Sequence, residues 1–232
     1  MRFRVSLFDR YPGAHIGVLA GRGLRNRPVD PRIEEAKREA LETLRDKVGS
    51  DPLSSHPHVA SWRDTYRSFG TKAGDYRPSA EALARRALRE GALPRINAAM
   101  DAYNAVSVRH LVPMGGFDLD RVRGDIRLRL SDGGETFIPL GPAAPEATYP
   151  GEVVYADDER VLTRRWNYRD CEKTKITEGT VNVAMFADGS PGIHRGVVED
   201  ALRDLEELLR VSCGGEYGSA VACDEMRELT LL

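Results

Sequence analysis

The spacing of apolar residues changes near residue 117, and this change limits the fold more than any single motif does. Before it, apolar residues recur at every third or fourth position; after it, they alternate with polar residues over short runs. These two periods are typical of helices and strands, respectively. The sequence therefore predicts an α+β fold with helices concentrated in the first half and strands in the second.

The clearest helical segment follows Asp30, which suits an N-cap, and Pro31, which suits the first turn. Its apolar stripe continues to Gly49, a typical helix end. Three other helices are expected at 59–69, at 79–90 with Ser79 as its cap, and at 196–211. A fourth is expected to begin at Pro94, with a buried stripe formed by Ile96, Met100, Tyr103 and Val106.

Strand patterns occur near the N-terminus and again in the second half of the chain. Near the N-terminus, Val5 and Leu7 share one face, and residues 15–20 form a second apolar run that is a candidate to pair with it. Residues 125–130 alternate strictly, and the sequence SDGGE predicts a hairpin turn into 136–140. Further strands are expected at 152–155, 160–162 and 180–186.

Composition limits the class of protein. A content of 41% hydrophobic and 30% charged residues is that of a globular chain, and no apolar run approaches the roughly 20 residues of a membrane span. The N-terminus lacks a basic segment followed by an apolar one, so a cytoplasmic location is expected. We expect residues 1–232 to form one domain, with a core at about 60–210 and a strand-helix extension at 1–50.

Common catalytic and metal-binding motifs are absent. The sequence has no phosphate-binding glycine loop, no serine-hydrolase elbow and no HExxH, and its three cysteines lack a CxxC spacing. His56 and His58 are separated by one proline, which does not suit a helical metal site. We expect no metal and no cofactor.

Charge is distributed unevenly. Residues 1–28 carry six arginines and one acid, and residues 62–95 carry eight basic and four acidic side chains. If these segments share a face, they would attract a polyanion. Scattered, solvated arginines explain the composition equally well.

Two segments hold more polar chemistry than a fold requires. Asn97, Asp101 and Asn104 have helical spacing and would lie along one side of a helix, either as a site or as a solvated face. In TRRWNYRDCEKTK, residues 163–175, aromatic rings alternate with arginines, as in surfaces that bind single-stranded RNA. A core role for Trp166 with solvated arginines explains this segment equally well.

A series of motifs resembles one known family. The run LPRINAAMDAYNAVSV is similar to RPIN-x-x-x-D-x-x-N, and it is followed in order by FDLD, a GGE turn, PLG and TVNVAMF over residues 93–187. The upstream run SFGTKAGDYRPSAEALARRAL is similar to what stand-alone members carry. The chain thus resembles the B3/B4 domain of the phenylalanyl-tRNA synthetase β subunit over roughly residues 60–210.

This resemblance implies a fold and a function. It implies a β-sandwich of unusual topology flanked by helices, and a role in binding tRNA. In the synthetase, this domain hydrolyses tyrosine wrongly attached to the phenylalanine tRNA. The chain resembles none of the synthetase's catalytic part, so it is not expected to be a complete synthetase.

The family's site carries over only in part. A T-N-Y-V stretch of the editing pocket matches residues 103–106, which retains Asn104 and places Tyr103 at the threonine. The family's histidine before FDL falls at Gly115. The serine and glutamate of GGxxSEV fall near Thr174 and Lys175.

Two functional hypotheses follow, beside a third that stays open because a fold does not determine a function: a small-molecule enzyme that reuses this fold. In the first, the chain is a trans-acting editing hydrolase in which Asn97 and Asn104 fix the aminoacyl group or the attacking water. In the second, it is a non-catalytic module that binds tRNA or an amino acid. Both leave the oligomeric state open, and both use the same expected contacts to substrate or RNA: Arg77, Tyr103, Trp166, Tyr168, Arg169, Lys173, Thr174 and Lys175.

Overall fold

The computed structural model describes residues 1–231, which form five α-helices and twelve strands. The helices are α1 (Pro31–Val48), α2 (Pro57–Ser68), α3 (Ser79–Glu90), α4 (Ala98–His110) and α5 (Arg195–Cys213). The strands are β1 (Arg2–Val5), β2 (His15–Arg22), β3 (Met114–Asp118), β4 (Ile126–Leu130), β5 (Thr136–Phe137), β6 (Glu146–Ala147), β7 (Val153–Ala156), β8 (Val161–Arg164), β9 (Arg169–Asp170), β10 (Val183–Gly189), β11 (Glu216–Ala222) and β12 (Glu228–Thr230).

Ten of the strands form two sheets that pack face to face. One sheet has the order β12-β1-β4-β7-β8-β9, and the other has the order β11-β2-β10-β3. The rings of Phe3 and Tyr155 in the first sheet contact Phe186 in the second, at centroid distances of 5.0 Å each. This aromatic cluster fills the space between the sheets, so the expected α+β fold with a β-sandwich and flanking helices is confirmed.

The strand pairing differs from expectation at two places. β1 and β2 lie in different sheets, because β1 pairs with β4 and β12 while β2 pairs with β10 and β11. The SDGGE turn does not form the expected hairpin either: β4 pairs with β1 and β7, and β5 pairs with β6. Local alternation shows that a segment is a strand, but the partner depends on long-range packing.

The helical segments lie close to their expected positions. Asp30 caps α1 by accepting a hydrogen bond from the Arg32 N–H, and Gly91 ends α3 in a left-handed conformation. The expected start of α4 at Pro94 is wrong: the side chain of Asn97 accepts a hydrogen bond from the Met100 N–H, so α4 begins at Ala98. Ile96 therefore lies outside the helix and is exposed.

A second correction concerns α3. Pro78 occupies the cap position, Ser79 is the first helical residue, and the Ser79 hydroxyl makes no cap hydrogen bond. The side chain that the sequence assigned to capping is thus free for another role.

The helices cover the sandwich in two places. Helices α1, α3 and α4 share an apolar cluster of their own, while α5 packs on β2 and β10 of the four-stranded sheet. This packing is close: a Cβ on Gly17 would lie 2.7 Å from Val198 of α5. Glycine is required at Gly17 because any side chain there would push α5 away from the sheet.

Within residues 1–231, no helix is both long enough and apolar enough to cross a membrane.

Candidate functional site

The turn between β8 and β9 has an unusual backbone. Arg165 and Trp166 are consecutive non-glycine residues with positive φ, at 48° and 66°. Such conformations cost about 1–3 kcal/mol each and persist where surrounding contacts impose them. Here the Trp166 N–H donates to the Val153 carbonyl at 2.7 Å, and the Tyr168 N–H donates to the Arg164 carbonyl. The turn is thereby held so that residues 166–168 enter the space beside the sandwich.

These residues line a small cavity of about 80 Å³, which we call the acidic pocket. Its other walls come from the β3 strand, from β7, β8 and β9, from β10, and from the start of α3. The lining residues are Ser79, Met114, Gly115, Gly116, Phe117, Tyr155, Thr163, Trp166, Asn167, Tyr168, Arg169, Asp170, Phe186 and Asp188. The pocket therefore contains two carboxylates among aromatic walls, and one arginine, Arg169, whose guanidinium donates to the Leu140 carbonyl and forms no ion pair with either carboxylate.

Asp188 is the more deeply buried of the two carboxylates. Its Oδ1 accepts a hydrogen bond from the Tyr155 hydroxyl at 2.5 Å, and its Oδ2 accepts one from Asn167 Nδ2 at 3.2 Å. Burial raises the pKa of Asp188 to about 7, although these hydrogen bonds act in the opposite direction. The carboxyl group is thus poised to change its charge near neutral pH.

Asp170 lies nearby with one oxygen uncommitted. Its Oδ1 accepts a hydrogen bond from the Thr163 hydroxyl at 2.7 Å, and no residue in 1–231 donates to Oδ2 from a side chain. Burial raises the pKa of Asp170 to about 6. A Cβ on Gly115 would lie 3.7 Å from this Oδ2, so the open carboxylate oxygen faces Gly115 of β3.

No cation balances these two carboxylates. Among residues 1–231, neither Asp170 nor Asp188 forms an ion pair with a lysine, arginine or histidine side chain. A buried carboxylate without a cation is energetically unfavourable, so it takes up a proton or binds a positively charged group.

Two other polar atoms at the pocket lack partners. The indole N–H of Trp166 and the hydroxyl of Ser79 are buried, and neither reaches a partner at hydrogen-bonding geometry. The indole lies near Asp188, since it contributes to lowering that pKa. Unpartnered buried donors are rare in folded proteins, and at a pocket they indicate a ligand.

The backbone of β3 supplies another donor. β3 is an edge strand of its sheet. The N–H of Leu119, directly after β3, donates to the Asn182 carbonyl on the side of β10, whereas the Asp118 N–H donates to the Thr174 carbonyl on the outer side. Backbone groups alternate in direction along an antiparallel strand, so the Gly116 N–H also faces the open edge. Gly116 also lines the acidic pocket, and its N–H has no backbone hydrogen-bond partner outside the strands in residues 1–231.

A second, larger depression of about 980 Å³ lies next to this pocket, and we call it the arginine groove. Four of its lining residues are arginines, all exposed and contributed by α3 or the segment before it, against the two acids Asp51 and Asp75. The arginines are Arg77, Arg85, Arg86 and Arg89. Tyr168 lines both the arginine groove and the acidic pocket, so the two cavities share a wall.

Arg165 fixes this shared wall. Its guanidinium lies 3.8 Å from the centroid of the Tyr76 ring and 5.4 Å from that of Tyr168. These cation-π contacts hold both rings in place. The wall between the cavities is therefore a packed structural unit.

The structure separates the expected catalytic asparagines from the pocket. Asn97 is buried at the N-cap of α4, where it also accepts a hydrogen bond from Asn26. Asn104 is half-buried on α4 and does not line the acidic pocket. Tyr103 is buried close enough to Asp170 for that carboxylate to add to the effect of burial in raising the tyrosine pKa.

The remaining expected contacts are divided among three places. Trp166, Tyr168 and Arg169 line the acidic pocket, and Arg77 lines the arginine groove. Lys173, Thr174 and Lys175 line neither. Thr174 is buried with its hydroxyl 3.2 Å from Cys171 Sγ, Lys173 is exposed, and Lys175 pairs with Glu172.

The arginines of the β8–β9 segment do not form a cleft of their own. Arg164 is buried and makes a two-pronged ion pair with Glu152, while Arg169 donates to the Leu140 carbonyl. Trp166 is 1% exposed and packs against Trp62 and Tyr11, so its ring is not presented for stacking on a base. The exposed arginines come instead from residues 77–89.

Sequence reasoning missed the two carboxylates and three of the groove arginines. Asp188 had a recognisable signal, because it stands in the apolar strand VAMFADG, where a buried charge requires an explanation. Arg85, Arg86 and Arg89 belong to the basic segment 62–95, but only the fold shows that they share a groove. Among residues 1–231, no three histidine, cysteine or acidic side chains are grouped as metal ligands.

Comparison with known proteins places these features in a family. Residues 61–207 match the family model for the B3/4 domain. Over 97 residues, the chain is 36% identical to the phenylalanine–tRNA ligase β subunit of Ruegeria pomeroyi, which corresponds to 41% of this chain and 12% of that protein. The chain thus spans about one eighth of the length of that relative.

Among solved structures, an N-terminal fragment of the phenylalanyl-tRNA synthetase β-subunit from Pyrococcus horikoshii has a TM-score of 0.46 and 16% identity to this chain. That alignment covers 96% of this chain and 55% of the fragment. The family model covers well over half of the sequence, including every lining residue of the acidic pocket. This chain therefore belongs to the B3/4 domain family.

Proposed function

We propose that this chain binds the aminoacylated end of a tRNA and hydrolyses the aminoacyl ester in trans. One observation carries the proposal: Tyr168 is a common wall of an arginine-lined groove and of a small acidic pocket. An aminoacylated RNA end has the matching chemistry, because anionic phosphates lead to a single amino acid that bears an ammonium group. The β subunit of phenylalanine–tRNA ligase, to which the chain is similar, acts in tRNA charging and supports the same substrate class.

The groove suits the phosphates. Arg86 and Arg89 form exposed ion pairs with Glu90, and exposed pairs contribute little free energy. These guanidinium groups can therefore exchange Glu90 for a phosphate at low cost. Arg77 lies 4.0 Å from Glu81 and is exposed, so it is similarly available.

The pocket suits the reacting ester. The Gly116 N–H is placed to stabilise the oxyanion that forms on the ester carbonyl. Water adds its oxygen to the carbonyl carbon, the bond from that carbon to the ribose oxygen breaks, and a proton passes to the departing oxygen. The neighbouring hydroxyl of the terminal ribose can relay this proton, so a protein nucleophile is not required.

The test is release of radiolabelled amino acid from a panel of aminoacyl-tRNAs by the purified chain. We expect release from one class of ester, and slower release by an Arg86→Ala, Arg89→Ala double variant. Arg195→Ala is the matched control, because Arg195 forms the same kind of exposed helical pair with Glu199 on α5. The role predicted for Asn104 from the sequence is tested alongside with Asn104→Ala. Reduced turnover in an intact fold would support that role, and unchanged turnover would remove Asn104, which does not line the acidic pocket, from the mechanism.

A non-catalytic binding module is the second candidate, and it is favoured by Gly115, which supplies no imidazole where the family has a histidine. It predicts that tRNA binds with steep salt dependence while every ester in the panel survives. That outcome would contradict hydrolysis and leave RNA binding in place.

A further inference from the structure

Building on the proposed function, we infer that the acidic pocket selects small amino acids, with the α-ammonium group bound to Asp170 and aromatic side chains excluded. This substrate class differs from the tyrosine ester that the resemblance implies. It follows from the charge, the unpartnered donors and the size of the pocket.

One carboxylate oxygen of Asp170 is open to the pocket. Thr163 occupies Oδ1, while Oδ2 faces the pocket beside Gly115. Asp188 adds a second carboxyl group whose two oxygens are already held by Tyr155 and Asn167. Asp170 is thus the group free to accept a hydrogen bond from a ligand, and Asp188 strengthens the preference for a positive charge there.

An acidic pair alone would not define a site, but Trp166 provides an independent observation. Its side chain is 1% exposed and lines the pocket, and its indole N–H lies beside Asp188 without reaching ordinary hydrogen-bond geometry to any acceptor in residues 1–231. A donor in this position can bind an oxygen atom of the same ligand. An ammonium group and a carbonyl oxygen on adjacent atoms are what an aminoacyl group presents.

Size then limits the side chain. A cavity of about 150 Å³ accommodates benzene. The acidic pocket holds about 80 Å³ and is open on one side, so the ring of phenylalanine or tyrosine would have to project out of it, away from the ammonium group. A hydrogen, methyl or hydroxymethyl side chain fits inside it.

The walls resist enlargement. Phe117, Tyr155 and Phe186 line the pocket and also pack against one another between the two sheets, with centroids 5.0–6.0 Å apart. Moving any of these rings would disrupt the sandwich core, where packing is dense. The small volume is therefore a property of the fold.

Binding of amide-linked analogues tests this inference without requiring cleavage. The probes are alanyl-, phenylalanyl- and N-acetylalanyl-amino-adenosine, each joined to the ribose by an amide, with binding measured by titration calorimetry. We expect the alanyl analogue to bind at least about tenfold tighter than the N-acetyl analogue, which lacks the charge-assisted hydrogen bond to Asp170. It should also bind tighter than the phenylalanyl analogue, which keeps the ammonium group but has a side chain too large for the pocket. In Asp170→Asn, the advantage over the N-acetyl analogue should disappear.

The controls separate this inference from the proposed hydrolysis. Asp200→Asn removes an exposed carboxylate on α5 and should bind like the wild type, and circular dichroism checks that Asp170→Asn is folded. If no ester is cleaved in the release assay but the alanyl analogue binds selectively, the proposed hydrolysis is contradicted and the inference about the pocket is supported. Equal or tighter binding of the phenylalanyl analogue, equal binding of the N-acetyl analogue, or no binding of any analogue would overturn the inference.

Discussion

The protein contains two kinds of carboxylate that are largely removed from water, those paired with arginines and those without a cation, and the contrast between them indicates where a ligand belongs. Glu81 accepts hydrogen bonds from Arg63 and Arg85 at 2.6–2.8 Å. Burial alone would raise the pKa of Glu81, but these arginines outweigh it and hold the pKa below its usual range. In the acidic pocket, Asp170 and Asp188 have no such cation, and their pKa values rise to about 6 and about 7.

Glu152 shows the same contrast within the β8–β9 region itself. It is fully buried, and both of its oxygens are bound by the guanidinium of Arg164 at 2.7 and 2.8 Å. Arginines are therefore close to the pocket, since Arg164 and Arg165 directly precede its lining residue Trp166 in the sequence. The absence of a cation at Asp170 is specific to the pocket, as expected if a ligand provides it.

The largest effect on stability should come from breaking the buried ion pair between Glu152 and Arg164. Glu152→Gln leaves the buried Arg164 guanidinium with Glu146, which is partly exposed, as its remaining carboxylate partner, and we expect a loss of about 3 kcal/mol in the free energy of unfolding. Urea denaturation measures it. Glu199→Gln, which affects only the exposed pair with Arg195, should change stability by less than about 1 kcal/mol. A small effect at Glu152 would remove the contrast on which the account depends.

A substitution in the acidic pocket should instead raise the free energy of unfolding. Asp170→Asn replaces a half-buried charge that has no ion-pair partner with a neutral group of similar shape, so it should stabilise the fold by about 2 kcal/mol at pH 8. The pKa of Asp170 is raised from 3.8 to about 6 in the folded protein, so the fold loses stability as the pH rises from 3.8 to about 6 and the loss is complete above that range.

The gain from Asp170→Asn should therefore disappear at pH 4, as measured by thermal unfolding across the pH range. Asp188, Tyr103 and Tyr155 face the same region and remain in both proteins, so they cancel to first order in the comparison. Destabilisation by Asp170→Asn at pH 8 would mean that the carboxylate is already satisfied within the protein.

The smallest effect should come from the exposed arginines of the groove. Arg86→Ala with Arg89→Ala should weaken tRNA binding about tenfold at low salt and reduce the slope of log affinity against log salt concentration by about 1.4. Filter binding at several salt concentrations measures both. An unchanged slope, equal to that of Arg195→Ala, would place the RNA elsewhere on the surface.

Local signals in the sequence were sufficient for the helices and the fold class. Asp30 and Pro31 mark the start of α1, and Gly91 marks the end of α3, because caps and helix ends depend on neighbouring residues. The start of α4 was misplaced because Asn97 was assigned to a polar helical face, whereas it caps the helix. Strand partners could not be found from alternation: β1 is parallel to β4, more than 100 residues away in sequence.

The candidate site was only partly accessible to the same reasoning. The β8–β9 segment was identified from its alternating rings and arginines, yet Trp166 proved to be buried and Arg164 to be paired. Asp170 and Asp188 come together from different sheets, and only the fold brings them to one pocket. Their lack of a cation is a property of three-dimensional packing that no spacing in the sequence records.

The most direct test is a titration of the two pocket carboxyl groups by carbon NMR, with the free protein and with the alanyl amide analogue bound. Because the groups interact, they should titrate as a pair, with apparent pKa values near 6 and 7 in the free protein. The account predicts that both values fall when the ammonium group of the analogue binds. Values below 4 in the free protein, or no change on adding the analogue, would contradict it.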